Sequence, residues 1–174
     1  ESGFDSNSSF AFTDVQKKGD KTIFYQTWDQ ITVAYLSGHR VGTTPLVPAT
    51  CYIEILKACV EHLYKTQQFT LCDMEFKNIL FLDKATIDVE IEFCEDRFTI
   101  MTDGSEHACL GLRLESMEAP PLDLERSLEN QTLLSGEEFY RITGNDYRDD
   151  FKTVKRIRIN ETRMIVSVDL GEIT

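Results

Sequence analysis

No stretch of this 174-residue chain approaches the roughly 20 consecutive apolar residues that a membrane-spanning helix needs. Its uninterrupted apolar runs are only a few residues long, so an integral membrane role is excluded and no membrane partner is expected. Basic residues are in short supply: 18 Lys and Arg face 30 Asp and Glu, a formal net charge of -12. Such a chain repels a phosphate backbone instead of releasing its counterions, and nucleic acid is excluded as a partner. Cysteine is sparse and scattered. The five residues Cys51, Cys59, Cys72, Cys94 and Cys109 are odd in number and include no CxxC pair, so neither a disulfide scaffold nor a zinc site is indicated and no metal is expected. Buried thiols in a reducing, cytoplasmic compartment fit best. There is also no basic segment followed by an apolar stretch at the start, and a chain that opens on Glu1 reads as part of a longer polypeptide. What is present, 41% hydrophobic and 28% charged residues, is a globular balance that can bury a core.

Residues 1–20 are rich in Ser, Asp and Gly and read as a loose leader, with order beginning near Thr22. A β-prone run from Thr22 to Trp28 leads into a segment punctuated by Gly38, Gly42, Pro45 and Pro48. Between Ala49 and Lys65, Tyr52, Ile53, Leu56, Cys59, Val60 and Leu63 recur at helical spacing, with Glu54, Lys57 and Glu61 on the opposite stripe. Pro48 stands where a helix tolerates it, at the start. After Gln68 the period changes to two. MEFKNILFL, ATIDVEIEF, RFTIMTD and HACLGLRLE are strand-length runs, and Ile87, Val89, Ile91 and Phe93 alternate with acids as in an antiparallel sheet with one wet face. One helix followed by a meander indicates an α+β fold. Residues 115–150 hold 10 acids and 3 bases, and a linker is placed at 117–134. Beyond it, Ser135 and Glu138 make a capping box for a second helix closed by Gly144. Two strand-like runs, KRIRI and RMIVSVDL, follow. The division is thus a leader (1–20), a first unit (21–116), the linker and the start of a second unit (135–174), too small to bury a core alone.

The residue with the widest chemical scope is His39, on a turn dense with Gly and Pro, because an imidazole can act as a base near neutral pH. Read alone, a single His near a turn is usually structural. His62, on the polar edge of the helix, and His107, at the start of a strand, read as packing or surface side chains. Cys51 and Cys59 read as core filling, and Lys155, Arg156 and Arg158 as a wet strand face.

The order of features resembles the dehydratase domain of modular polyketide synthases and of animal-type fatty acid synthases. That family's motif runs His, three residues, Gly, four residues, Pro, then a long helix. This chain has His39 and Pro48 at that separation, with Tyr35-Leu36 before and Val41-Gly42 between. His107-Ala108 followed by Gly111 looks like a further family strand, and Phe139-Tyr140, Gly144, Tyr147 and Phe151 follow the opening of the family's second half. The resemblance covers nearly the whole chain. It departs at Thr43, where the motif has glycine, and at Arg148-Asp149, where Gly-Pro is usual.

The resemblance implies a hotdog fold, a long helix wrapped by an antiparallel sheet, with the start of a second one making part of a double hotdog. It implies loss of water from a β-hydroxyacyl thioester to give an enoyl product. His39 is then the base, and Gly42, Thr43, Pro48 and Tyr147 are substrate-binding candidates. Amides around Gly42, or at the helix start after Pro48, would face the enolate oxygen. The chain itself would need no cofactor, because the substrate rides on the phosphopantetheine of an acyl carrier protein. That carrier, other synthase domains and a second copy in a homodimer are the implied partners. The family's acid, in an Asp-x-x-x-Gln/His motif, is absent: Asp169 and Asp146 lack its context, and Asp146, Asp149 and Asp150 fall in an earlier loop. The acid is expected outside this chain, which alone should lack full activity. Carrier proteins are themselves acidic, so physical tethering would replace electrostatic steering. Two other readings stand beside this one: a catalytically inactive hotdog scaffold or dimerisation domain of the same kind of synthase, and a hotdog thioesterase using Glu54.

Overall fold

In the computed structural model, residues 11–115, 132–143, 146–148, 151–159 and 164–168 are described. In chain order the elements are β1 (Asp14–Lys18), β2 (Lys21–Asp29), a 3-10 turn (Ala34–Gly38), β3 (Arg40–Val41), β4 (Thr44–Pro45), α1 (Ala49–Tyr64), β5 (Thr70–Phe76), β6 (Thr86–Cys94), β7 (Arg97–Thr102), β8 (Ser105–Arg113), β9 (Thr132–Ser135), α2 (Gly136–Thr143), β10 (Val154–Ile159) and β11 (Met164–Val168). The chain divides into two compact units, one of Glu1–Leu36 and Leu46–Glu118, the other of Ser37–Pro45 and Ala119–Thr174.

The first unit is a six-stranded antiparallel sheet, in the order β1-β2-β6-β7-β8-β5, with α1 packed on it. The period-two pattern of β6 is realised: Ile87, Val89 and Ile91 are buried while Asp88 is exposed and accepts a 2.8 Å hydrogen bond from Thr27 Oγ1. Tight turns follow from local chemistry. Glu95-Asp96 and Asp103-Gly104 take positive φ at both positions and close the β6–β7 and β7–β8 hairpins as two-residue turns whose twist matches that of the strands. On the helix, Cys51, Tyr52, Ile55, Leu56, Cys59 and Val60 are buried. Phe24, Phe98, Ile91, Ile100 and Leu110 meet them from the sheet side as a core with essentially no solvent exposure. His62 lies edge-on to Phe24 at 5.5 Å, and Tyr64 to Phe93 at 6.2 Å. This is the hotdog arrangement of a long helix against an antiparallel sheet.

Several expectations need correcting. Residues 14–18 are not leader but strand β1, with Val15 opposite Phe24. As an edge strand it needs only backbone pairing, so it carries no apolar alternation to reveal it. The run MEFKNILFL is strand only to Phe76, and its strand begins earlier, at Thr70; beyond it one isolated bridge joins Leu46 to Phe81. Ile55, not assigned to the helix's apolar stripe, is fully buried, whereas Ile53 and Leu63 are half-buried. The supposed linker ends sooner than 134, because β9 begins at Thr132. Residues 116–131, Gly144, Asp149, Asp150 and Asp169 lie outside the described residues.

The second unit holds a three-stranded antiparallel sheet, β11-β10-β9, rather than two strands, together with α2 and the β3–β4 hairpin. Its capping box is present: the Ser135 backbone N–H and Oγ both donate to Glu138 Oε2 at 2.9 Å, and the Glu138 amide donates back to Ser135 Oγ at 3.2 Å. Gly136 follows because any Cβ there would lie 2.0 Å from the Val154 carbonyl oxygen. Tyr140 fastens α2 to the segment before β10: its hydroxyl accepts from the Val154 amide at 2.8 Å and donates to the Phe151 carbonyl at 3.3 Å.

Candidate active site

His39 sits between the 3-10 turn and the β3–β4 hairpin, so the backbone on both sides of it is held. On one side Gly38 is buried and its carbonyl accepts a 2.9 Å hydrogen bond from the Arg148 amide. A Cβ at Gly38 would be 2.4 Å from the Arg148 carbonyl oxygen, so only glycine admits this approach. On the other side Arg40 pairs with Pro45 and Val41 with Thr44, leaving Gly42-Thr43 as a two-residue turn. The half-buried imidazole stands beside two aromatic rings, with centroids 5.2 Å from Tyr147 and 5.3 Å from Phe151. Tyr147 in turn meets Tyr140 at 5.8 Å.

Of the five predicted site residues, His39, Gly42, Thr43 and Tyr147 belong to the second unit and Pro48 to the first. The departure at Thr43 has a local explanation. The left-handed conformation in the turn falls on Gly42, at φ +58°, and Thr43 is not left-handed. Glycine is therefore supplied one position earlier, as a turn with the special residue at its first central position requires. Pro48 is buried and is the N-cap of α1, with φ -69° and ψ 149°. Its carbonyl takes up the Cys51 amide at 2.9 Å, which leaves the exposed Ala49 and Thr50 as the residues whose amides the helix start can offer to a ligand. Cys51 is a poor nucleophile, since burial pushes its thiol up to about 12.

The structural readings of the remaining residues hold. His107 is buried, with Nε2 2.8 Å from Thr102 Oγ1 and Nδ1 3.1 Å from the Asn78 carbonyl oxygen. A carbonyl only accepts, so Nδ1 carries a proton, and the ring is fixed by partners on both nitrogens. His62 packs against Phe12 and Phe24. Glu54 is exposed and ion-paired with Lys57 at 2.9 Å, which gives a thioesterase no buried carboxylate there. Asp146 is unsuited to deliver a proton: the Arg148 guanidinium bonded to it holds its carboxyl below the ordinary range, ionised and acceptor-only. Among the described residues no group of three or more His, Cys, Asp or Glu is placed to hold a metal ion, and no helix is long and apolar enough to cross a membrane. A depression on the first unit's sheet, lined by Tyr25, Thr27, Asp88, Glu90 and Met101, includes none of the predicted site residues.

Sequence reasoning read Gly38 only as punctuation of the turn and passed over Arg40. Arg40 donates from Nε to the Ser37 carbonyl at 2.6 Å and from a terminal nitrogen to the Thr43 carbonyl at 2.7 Å. The only available signal was adjacency to His39, because these partners are backbone atoms that leave no side-chain pattern.

No curated protein matches the chain. Among solved structures it is similar to the dehydratase domain from the CurF module of curacin polyketide synthase, with a TM-score of 0.77 and 21% identity over 95% of this chain and 68% of that one. The dehydratase domain from the CurK module of the same synthase gives 0.75 and 21%, over 95% and 66%. The dehydratase domain of a mycocerosic acid synthase-like polyketide synthase gives 0.72 and 18%, over 91% and 61%. The chain thus spans about two thirds of the length of these domains, and at such identities the likeness establishes the fold. A family model described as polyketide synthase dehydratase domain matches residues 13–103, a span of more than half the sequence that contains His39, the hairpin and α1. The chain accordingly belongs to the polyketide synthase dehydratase domain family.

Proposed function

We propose that this chain supplies the base of a dehydratase that removes water from a β-hydroxyacyl thioester. The observation that carries the reading is the placement of His39, held from both sides of the backbone and set beside Tyr147 and Phe151. The α-proton of a thioester is only weakly acidic, so catalysis needs a fixed base together with donors for the enolate oxygen. His39 takes the proton. Amides of the Gly42-Thr43 turn, in the same unit as His39, are the donors that chemistry calls for. Hydroxide leaves only if protonated; Asp146 stays ionised, and in this reading the acid, whose Asp-x-x-x-Gln/His motif the sequence lacks, comes from outside this chain. The α-proton passes to His39, the C–O bond breaks as the double bond forms, and the outside acid completes the water molecule.

The substrate is carried on the phosphopantetheine of an acyl carrier protein, so the chain needs no cofactor of its own. Tethering to the carrier and to other synthase domains in the cytoplasm offsets like-charge repulsion from a partner that is also acidic. Pairing with a second copy is a further part of this reading. The inactive-scaffold alternative is motivated by Thr43 and by Arg148-Asp149, of which Asp149 lies outside the described residues. It is not favoured, because Gly42 supplies the left-handed turn residue and Arg148 anchors Gly38 through its backbone.

The test is mass spectrometry of β-hydroxyacyl pantetheine thioesters incubated with a protein extended past Thr174, comparing the parent with His39→Ala. Water loss that disappears in the variant is the expected result. No water loss from a folded, extended parent, across several chain lengths and both hydroxyl stereoisomers, would overturn this reading in favour of the scaffold.

A further inference from the structure

We infer that Arg40 is a positioning residue for His39, acting on the backbone that presents the imidazole. This rests on His39 being the base. The Arg40 guanidinium spans the loop's two sides, donating to the Ser37 carbonyl before His39 and to the Thr43 carbonyl after it, at 2.6 and 2.7 Å. Both bonds are short and charge-assisted. Between Gly38, pinned by the Arg148 amide, and Pro45 the loop also carries the β3–β4 ladder, two residues long on each side. That ladder closes through Gly42, a residue whose backbone has unusual freedom. A planar fork with donors on separate nitrogens bridges the two carbonyls, whereas the single nitrogen of a lysine serves as one point and cannot reproduce both directions. Arg40 therefore fixes how far His39 stands from the Tyr147 and Phe151 rings, and through them from a substrate.

The test compares Arg40→Lys and Arg40→Ala with the parent in two assays. In the first, NMR of the chain follows the His39 ring carbon-bound protons, whose shifts report the nearby rings of Tyr147 and Phe151. Both variants should lose that displacement, and guanidinium ion at non-denaturing concentration should restore it in Arg40→Ala, whereas ammonium should not. In the second, dehydration by the extended protein should fall in kcat by on the order of ten- to a hundredfold, with KM within about twofold, since small misplacements of a reacting group have effects of that size. Guanidinium should recover part of the lost kcat. His39 resonances unchanged in a folded Arg40→Lys or Arg40→Ala would overturn the inference. So would a raised KM with unchanged kcat, which would make Arg40 a substrate contact. Should His39→Ala retain dehydration, the base assignment fails by itself, and the His39 resonances still decide whether Arg40 orders that loop.

Discussion

Replacing Gly38 with alanine is the sharpest perturbation of the His39 loop, because the obstacle is backbone and not a side chain that could swing away. The new methyl would stand 2.4 Å from the Arg148 carbonyl oxygen and 3.2 Å from both the Arg148 carbonyl carbon and Phe151 Cδ2. Restoring an ordinary non-bonded distance of about 3.5 Å requires the two segments to part by about 1 Å. That movement takes the Arg148 amide out of reach of the Gly38 carbonyl, a bond now 2.9 Å long. The lost hydrogen bond costs about 1 kcal/mol and the forced repacking about 1–3 kcal/mol, so the second unit should lose roughly 2–4 kcal/mol in total. Chemical denaturation followed by NMR of second-unit amides measures the loss directly. In the extended protein the same shift should lower dehydration by on the order of a hundredfold. A Gly38→Ala protein whose stability stays within about 0.5 kcal/mol of the parent, with His39 resonances in place, would refute this account of the loop.

Three further outcomes follow from the same structure. Gly42→Ala meets no atom within 4 Å but keeps φ +58°, so its cost should be conformational, about 1–2 kcal/mol, and Gly42→Asn should recover much of it; equal losses for the two in thermal denaturation would contradict this. Ile55→Ala, at a position with no solvent exposure, should destabilise the first unit by about 2–5 kcal/mol, read from its denaturation midpoint; a change below that range would mean that the α1 core is looser than described. Glu138 is held below its ordinary value of 4.5 by the Ser135 amide and hydroxyl. A depressed folded value contributes stability that is complete above pH 4.5 and is lost as pH falls through the folded value, so α2 should lose helicity on acidification and Glu138→Gln should flatten that response; identical acid profiles by NMR of α2 would exclude the capping box as the cause.

Much of the first unit was legible because its signals are local. A helix that buries one stripe must place Leu56, Cys59 and Val60 at helical spacing, and a strand with one wet face must alternate, as Ile87 to Ile91 does. The capping box at Ser135 and Glu138 is equally local, since both partners lie within one turn. Strand β1 escaped because an edge strand paired through its backbone needs no hydrophobic period. The position of His39 in a Gly- and Pro-rich turn was readable, but Tyr147 and Phe151 were named only through likeness to a family, and no local pattern set them beside it.

By itself, then, the sequence determined the α+β class, the helix after Pro48, the meander that follows and the imidazole with the widest chemical scope, because each is written in residues a few positions apart. Only the tertiary structure decided that Ser37–Pro45 groups with the second unit across more than 70 intervening residues. It alone brought Tyr147 and Phe151 beside His39, made Gly38 and Gly136 sterically obligatory, and gave Asp146 to Arg148 as an ionised partner. Those outcomes depend on which backbone segments approach one another. Closing a long loop costs little more than closing a shorter one, so chain distance does not foretell the pairing, and carbonyl oxygens that any residue could provide leave no trace in the side-chain pattern.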